Sequence, residues 1–538
     1  MSKQVQLPDI PEAAQTPLVK ELLGIIAQLA ETVRQHEETI AQLRDEIAIL
    51  KGEKKRPQFK PSQLDKKAGQ DEEASGEGKR PGSAKRSKTA VLEIHEERVI
   101  PPTEPVPAGS RFKGYHDYVV QDLVIQAHNT RYRLERWETP DGQTLTGQLP
   151  ESLGNRHFGP TLVSYILYQH HHCQVTQPLL VEQLREWGID LSAGQIDALL
   201  TANQAVFQAE KDALLSVGLA CSRHLTVDDT GARHQGKNGY TTPIGNDYFA
   251  WFASTESKSR LNFLQLLRAG HTDYRVEEDA LVYMGRQNLP KGLVACLRNH
   301  PQRCFATKAQ WDAHLTQVGI TQPRHRRIAT EGALLGSALH HGVPPDLAIV
   351  SDDAGQFKVL RHGLCWVHTE RLIHKLIPLN ETHRQAIAQV REQVWTLYAD
   401  LKNYKQQPTE AKKVELAARF DTIFTTRTPF ETLNQLLKRL YRNKAELLLV
   451  LERPDIPLHT NGSEQALRDP VKKRKVSSGT RSDLGRRCRD TFMSLKRSCR
   501  KLGVSFWRYL TDRTSRTHAI PPLPDLIRQQ AAVPLGAP

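Results

Sequence analysis

Apolar residues recur every seventh position near the start of the chain, at Val19, Ile26, Val33, Ile40 and Ile47, with Leu22, Leu29, Leu43 and Leu50 three places further on. This spacing predicts a coiled coil over 15–52. β-Branched side chains at the first seam position and leucine at the second favour two parallel strands, and His36 interrupts the leucine column as a polar register device. Glu46 is placed to pair with Lys51 across the dimer. An amphipathic helix packed on its own domain is the plain alternative, which the persistence of the repeat disfavours. From 53 to 90 the apolar positions nearly vanish among Lys, Arg, Ser, Gly, Glu and Pro, which predicts a disordered basic linker.

Over 91–150 short alternating runs return. Tyr118-Val119-Val120 and Thr130-Arg131-Tyr132-Arg133-Leu134 read as strands and Pro140-Asp141-Gly142 as a turn, so a small β-rich module is expected. The pattern over 155–210 is helical. One helix runs from Pro178 to Trp187, Gly188-Ile189-Asp190-Leu191 turns the chain, and Ser192 caps a second helix carrying Ile196, Leu199 and Leu200. Two helices about so short a turn resemble a helix-turn-helix, with Gln195 and Asn203 as candidate base readers, although any helical hairpin has the same pattern. His170-His171-His172-Cys173 reads as a surface cluster, because adjacent side chains on a helix diverge.

Between 221 and 375 helical and strand patterns mix. Strands are expected up to Asp228, over Asp247–Ser254, over Leu261–Leu267, up to Asp352 and near Gly363–Trp366, with a helix around Val276–Arg286. The 381–455 stretch reads as a helical insertion, 456–512 as a helix followed by a basic part, and 513–538 as a tail.

Composition narrows the partner. The 538 residues suit several domains. A net charge of +14 suits a polyanion without naming a chemistry. Seven scattered cysteines with no CxxC pair predict reduced thiols. With no long apolar run and no signal-peptide core near Met1, a cytoplasmic, nucleoid-associated protein without membrane contact is expected.

Three acids are the candidate chemistry: Asp228 after Leu225-Thr226-Val227, Asp352 after Leu347-Ala348-Ile349-Val350-Ser351, and Glu464 within Asn461-Gly462-Ser463-Glu464-Gln465-Ala466-Leu467-Arg468. Alone, each also fits a plainer role: an aspartate commonly turns the chain after a buried strand, and Asn461 with Glu464 fits a helix cap with its partner. Gly363-Leu364-Cys365-Trp366-Val367-His368 lies between the second and third acids. In this order the motifs resemble the DDE transposases of bacterial insertion sequences, of the IS66 group, over about Thr161–Leu510.

The resemblance implies a multidomain α/β protein with an RNase H-like catalytic core. It implies that Asp228, Asp352 and Glu464 bind Mg²⁺ or Mn²⁺ and catalyse cleavage and strand transfer, and that Cys365 and His368 support them. The choice of Asp228 over Asp229, and of Asp352 over Asp353, rests on the resemblance. Related enzymes often carry a cysteine-ligated zinc module near 91–150; this interval has no cysteine, so zinc is not expected. Beyond Glu464, Arg468, Lys472, Lys473, Arg474, Lys475, Arg481, Arg486 and Arg487 are candidate DNA contacts, with Arg489, Lys496, Arg497, Arg500 and Lys501 continuing the basic run. Expected partners are the element ends, target DNA, a second copy of the chain and accessory proteins of the same element. The rival readings are a metal-dependent nuclease without strand transfer and an inactive DNA-binding relic.

Overall fold

A computed structural model describes residues 16–50, 92–150, 153, 157–202 and 204–532. The linker expected over 53–90, Asn203 and the end of the tail lie outside the described residues. The chain divides into a larger unit (1–56, 132–185 and 190–538) and a smaller one (57–131 with 186–189).

In the smaller unit, residues 92–131 form no helix or strand, and Tyr118 and Val120 are exposed. The β-rich module is therefore corrected. Strands are absent at Tyr118–Val120 and Thr130–Leu134; the hairpin of β1 (Arg136–Glu138) and β2 (Thr144–Thr146) comes later in the chain and belongs to the larger unit. All six of its residues are exposed, the cross-strand apolar pair Trp137 and Leu145 included, so neither face is buried and the hairpin stays two-stranded. Its turn centres on Pro140-Asp141-Gly142 as expected, with Gly142 at φ +79° and its N–H donating to the Thr139 carbonyl at 2.8 Å.

The larger unit begins with the Pro17–Leu50 helix, on which Leu22, Ile26, Leu29 and Val33 of the seam are exposed. Helices Pro160–His171, Gln177–Glu186, Ala193–Thr201 and Ala205–Ala220 match the helical pattern. Ser192 caps the third, and Gln195 completes a capping box by accepting the Ser192 N–H at 2.9 Å. That bond occupies the Gln195 carboxamide oxygen, which weakens its candidacy as a base reader.

A six-stranded sheet organises the rest. β3 (His224–Val227), β4 (Thr230–His234), β5 (Lys237–Gly245) and β6 (Ala250–Thr255) come first, and β9 (Ala348–Ser351) and β10 (Arg361–Leu364) much later. The small pair β7 (Tyr274–Arg275) and β8 (Cys304–Phe305) lies between them in sequence, outside the sheet. The order is β10-β9-β3-β5-β4, with β6 also on β5; β3, β9 and β10 run parallel, and β5 runs against β3, β4 and β6. Leu261–Leu267, expected as a strand, is the helix Arg260–Leu267, started by Ser259 accepting the Asn262 N–H at 3.2 Å. Its buried Phe263, Leu264 and Leu267 have helical spacing.

Two helical layers finish the sheet. The 381–455 insertion shares a core with β9 and β10 in which Val350, Leu364 and Trp366 meet Val394, Leu397, Phe420 and Leu437. On the far side the Asp483–Lys501 helix covers the outer edge of β6. Ser494 and Ser498, one turn apart, accept the Phe252 and Ala250 N–H groups at 2.9 and 3.1 Å. An edge strand's donors are thereby satisfied by a helix. No described helix is long and apolar enough to cross a membrane.

Candidate active site

The parallel ladder pairs His224 with Ala348, Leu225 with Ile349 and Thr226 with Val350. Carried two residues on, that register sets Asp228 beside Asp352 and Asp229 beside Asp353, on strands roughly 4.8 Å apart. On its other flank, the β3–β4 register with β5 places Asp228 opposite Pro243, in a gap between two stretches of ladder. Proline has no N–H to close that gap.

The two acid pairs have different neighbours. Asp229 pairs with Lys258 and accepts from Gln356 Nε2 at 2.7 Å. Asp353 lies 3.3 Å from Lys358 and accepts from Asn443 at 3.3 Å. Asp228 and Asp352 have no ion-pair partner among the described residues; their side chains accept only the N–H groups of Asp229 at 2.7 Å and Ala354 at 3.2 Å. Burial, reinforced by the negative charges of Asp352 and Asp229, pushes the Asp228 carboxyl up to about 6, against the opposing pull of the Asp229 N–H and His368.

Glu464 arrives on the Asn461–Ser477 helix. The cap residue is Thr460, without a side-chain cap bond, so Asn461 and Glu464 are not a capping pair. Three bonds set the start of this helix. Cys365 Sγ accepts the Thr460 N–H at 3.4 Å, Ser463 Oγ donates to Thr226 Oγ1 at 2.8 Å, and the Trp366 N–H donates to the Leu458 carbonyl at 2.9 Å. The helix is thus tied both to β3, just ahead of Asp228, and to the end of β10. Arg371 grips the Glu464 carboxylate through two bonds, at 2.7 and 3.1 Å, and His368 Nε2 stands 3.4 Å away.

His368 and Arg371 lie one turn apart on the Trp366–His374 helix. Burial works to lower the His368 pKa, but neighbouring Cys365, Glu464 and Asp228 raise it overall. Burial works to raise the Cys365 thiol, and hydrogen bonds with His368 and the Thr460 side chain bring it below its ordinary value. Arg371, Lys258 and Gln356 were not singled out from sequence. The Cys-x-x-His spacing, continued by one helical turn, leads to Arg371; no local pattern marks the other two.

Hard oxygen donors of this kind suit Mg²⁺ or Mn²⁺. Asp228 and Asp352 lie side by side with no Lys or Arg partner among the described residues, and are the donors that would hold such an ion. Among the described residues, no group of three or more His, Cys, Asp or Glu converges in metal-binding geometry. Glu464 is turned toward Arg371 and His368.

The basic run divides into free and engaged cations. Arg468, Lys472, Lys475, Arg481 and Arg487 are exposed. Lys473 is partly buried, Arg474 bonds the Gly231 carbonyl, and Arg486 pairs with Asp483 at 2.9 Å. Further along, Lys496 and Arg497 both hold Asp469 at 2.8 Å, Arg489 pairs with Asp490 at 2.9 Å, and Lys501 bonds the Asn246 carbonyl. These four cations pack the molecule together, which corrects their expected availability to phosphates.

Residues 349–487 match the model of the family described as "Transposase IS66 family". A protein of Sinorhizobium fredii (strain NBRC 101917 / NGR234), described as "Uncharacterized protein y4jO", is 46% identical over 321 residues, which are 59% of this chain and 100% of that protein. The chain belongs to the IS66 transposase family. Within its matched span the family segment carries Asp352, Cys365, His368, Arg371 and Glu464, while Asp228 lies before it.

The chain also has a Ser–His–Glu hydrogen-bond network behind Asp352. Ser351 Oγ is 2.8 Å from His362 Nε2, and His362 Nδ1 is 3.1 Å from Glu446. Ser351 is fully buried, and its hydroxyl donates to the Asp352 carbonyl at 2.6 Å. The network connects the strand carrying Asp352 to the Lys444–Leu447 helix of the insertion.

Proposed function

We propose that this chain cuts phosphodiesters at the ends of an insertion sequence and joins the freed 3′-hydroxyl to target DNA. The observation that carries the reading is the in-register pair Asp228 and Asp352, without cation partners, beside a helix that brings up Glu464. The surrounding sheet, in which β5 runs against β3, β4 and β6 and β3 is continued by the parallel β9 and β10, suits an RNase H-like core. Both reactions are in-line displacements at phosphorus, for which a bound divalent metal activates the attacking oxygen and stabilises the leaving one. Asp228 and Asp352 supply oxygen donors from adjacent strand ends, and Glu464 supplies the third. Arg371 and His368 act as positioning residues that orient Glu464, and Cys365 helps fix the start of its helix.

The cations left free along and beyond the Glu464 helix would hold DNA phosphates, and the helices over 155–210 would read the element end. The exposed seam of the Pro17–Leu50 helix fits a second copy of the chain. If so, Ile26→Lys should lower the mass seen by light scattering; an unchanged mass removes the seam from assembly.

The activity is tested on a labelled duplex cut from the element's terminus, with Mg²⁺ and an unlabelled target. Nicked and joined products, both lost on chelation, are expected. Cutting without joining would leave a nuclease, binding alone would leave a relic, and activity that survives chelation would end the metal-dependent reading.

A further inference from the structure

A cleft of about 470 Å³ opens at the far end of the Glu464 helix from the acids. Its walls are the β4–β5 hairpin, the ends of the Pro160–His171 and Ala193–Thr201 helices, and the 477–482 loop. The cleft is built rather than incidental. The hairpin turns on Gln235 and Gly236, both with positive φ (50° and 76°), the paired geometry of a tight two-residue turn. The loop is stitched to it: the Thr480 N–H donates to the Arg233 carbonyl at 3.0 Å, the Gln235 N–H donates to the Thr480 carbonyl at 2.8 Å, and His234 bonds Thr480 Oγ1 at 2.9 Å and Asp483 at 3.1 Å. A Cβ on Gly479 would stand 2.5 Å from the Arg233 carbonyl oxygen, so only glycine closes that seam.

Charge in the cleft is one-sided. Arg233, Lys473, Arg474 and Arg481 line it, beside Arg489, whose charge Asp490 takes, against the lone lining carboxylate of Asp197, which already accepts from Gln177 at 2.9 Å. Lys473 has no carboxylate among the described residues; its neighbour is His170 Nε2 at 3.5 Å. His170 Nδ1 faces the Val175 carbonyl at 2.9 Å and so carries the ring proton, leaving Nε2 as an acceptor. Burial, then Lys473, pushes His170 down to about 4, so it stays neutral near pH 7 and cannot add to the positive charge. Burial, then Arg489, pushes Lys473 down to about 8. A buried ammonium in this setting gains most from an anion.

We propose that this cleft seats one backbone phosphate, with its sugar, of the DNA strand whose end lies at the acids, and that Lys473 donates to its oxygens. The inference rests on the transposase reading and adds a defined phosphate position to it. Nine helix positions separate Glu464 from Lys473, a rise of about 14 Å. A B-form strand advances about 3.4 Å per nucleotide, so the seated phosphate lies about four nucleotides from the reacting one.

The test uses the full chain and a duplex ending at the element's cleaved 3′ terminus, with a single neutral methylphosphonate moved one position at a time along that strand. Affinity should fall about tenfold at one position, near the fourth, and that position should lose its effect in Lys473→Met while persisting in Lys473→Arg. An even loss at all positions, or a fourth-position effect undiminished in Lys473→Met, overturns the proposal. The wild-type chain gives a second reading: acetylation of Lys473 by acetic anhydride should be blocked by the duplex. Equal labelling with and without duplex, or equal protection by inorganic phosphate alone, also overturns it. Cleavage of the unmodified duplex is scored alongside. Its absence counts against the transposase reading, whereas the methylphosphonate profile judges the cleft.

Discussion

Asp228 with Asp352, and Asp229 with Asp353, occupy consecutive places at the ends of the same two strands, yet they sit in opposite environments. The second pair is absorbed by Lys258, Gln356, Lys358 and Asn443. The first has only backbone amides, and one of its members is held unfavourably as an anion. Alternation along a strand is what separates them: one face meets the protein's own cations, while the other meets only backbone amides among the described residues. Acidic residues held by cations and acidic residues left without them can therefore be neighbours with nothing in their local sequence to tell them apart.

The largest expected difference is in activity. Asp228→Asn or Asp352→Asn should lower cleavage of the labelled element end by about a thousandfold or more, with the double change little worse than either single one. Asp229→Asn and Asp353→Asn should stay within about tenfold of the parent. Equal losses in both pairs would erase the contrast.

A second difference is in stability, and it runs the other way. The Asp228 carboxyl is raised in the folded protein from 3.8 to about 6, so folding favours its protonated form. Its stability contribution is full below about pH 4, is lost as pH rises from about 4 to about 6, and stays lost above. In chelator, Asp228→Asn should gain on the parent across that window, by something on the order of 3 kcal/mol at neutral pH. Denaturant melts at several pH values read it, and a gap that does not change with pH would contradict the environment described.

The smallest effects belong to the absorbed pair. Asp229→Asn should cost about 1 kcal/mol, because the carboxylate is buried but Lys258 is half exposed and screened. Asp353→Asn, with more solvent access, should cost about 0.5 kcal/mol or less. Thermal melts that rank Asp353 above Asp229 would reverse that order.

The legible parts of the chain were those where burial alone decides. Leu225–Val227 and Leu347–Val350 announced the two buried strands, Ser192 announced its helix, and the acids stood in ordered motifs. β5 was missed because Gly239, Pro243 and Gly245 make Lys237–Gly245 look like a loop, although the proline sits where the ladder beside Asp228 needs no donor. Leu261–Leu267 looked like a strand from its apolar content, and the Ser259 cap decided for helix. Of the site's other members, Arg371 lies one helical turn past the Cys-x-x-His spacing, whereas only the fold brings Lys258 and Gln356 to Asp229. The basic tail was read by counting charges, but Asp469, far back in the sequence from Lys496 and Arg497, determines which of those charges remain free.

The Ser351–His362–Glu446 chain has the residue order of a serine hydrolase's catalytic machinery, which makes it a decoy for any survey that recognises enzymes by three side chains in line. Sealed from solvent, with its hydroxyl committed to a backbone oxygen, that serine would leave the protein untouched by a fluorophosphonate tag. It also means the insertion is not a removable ornament, since trimming it would take away the strut behind the strand that carries Asp352.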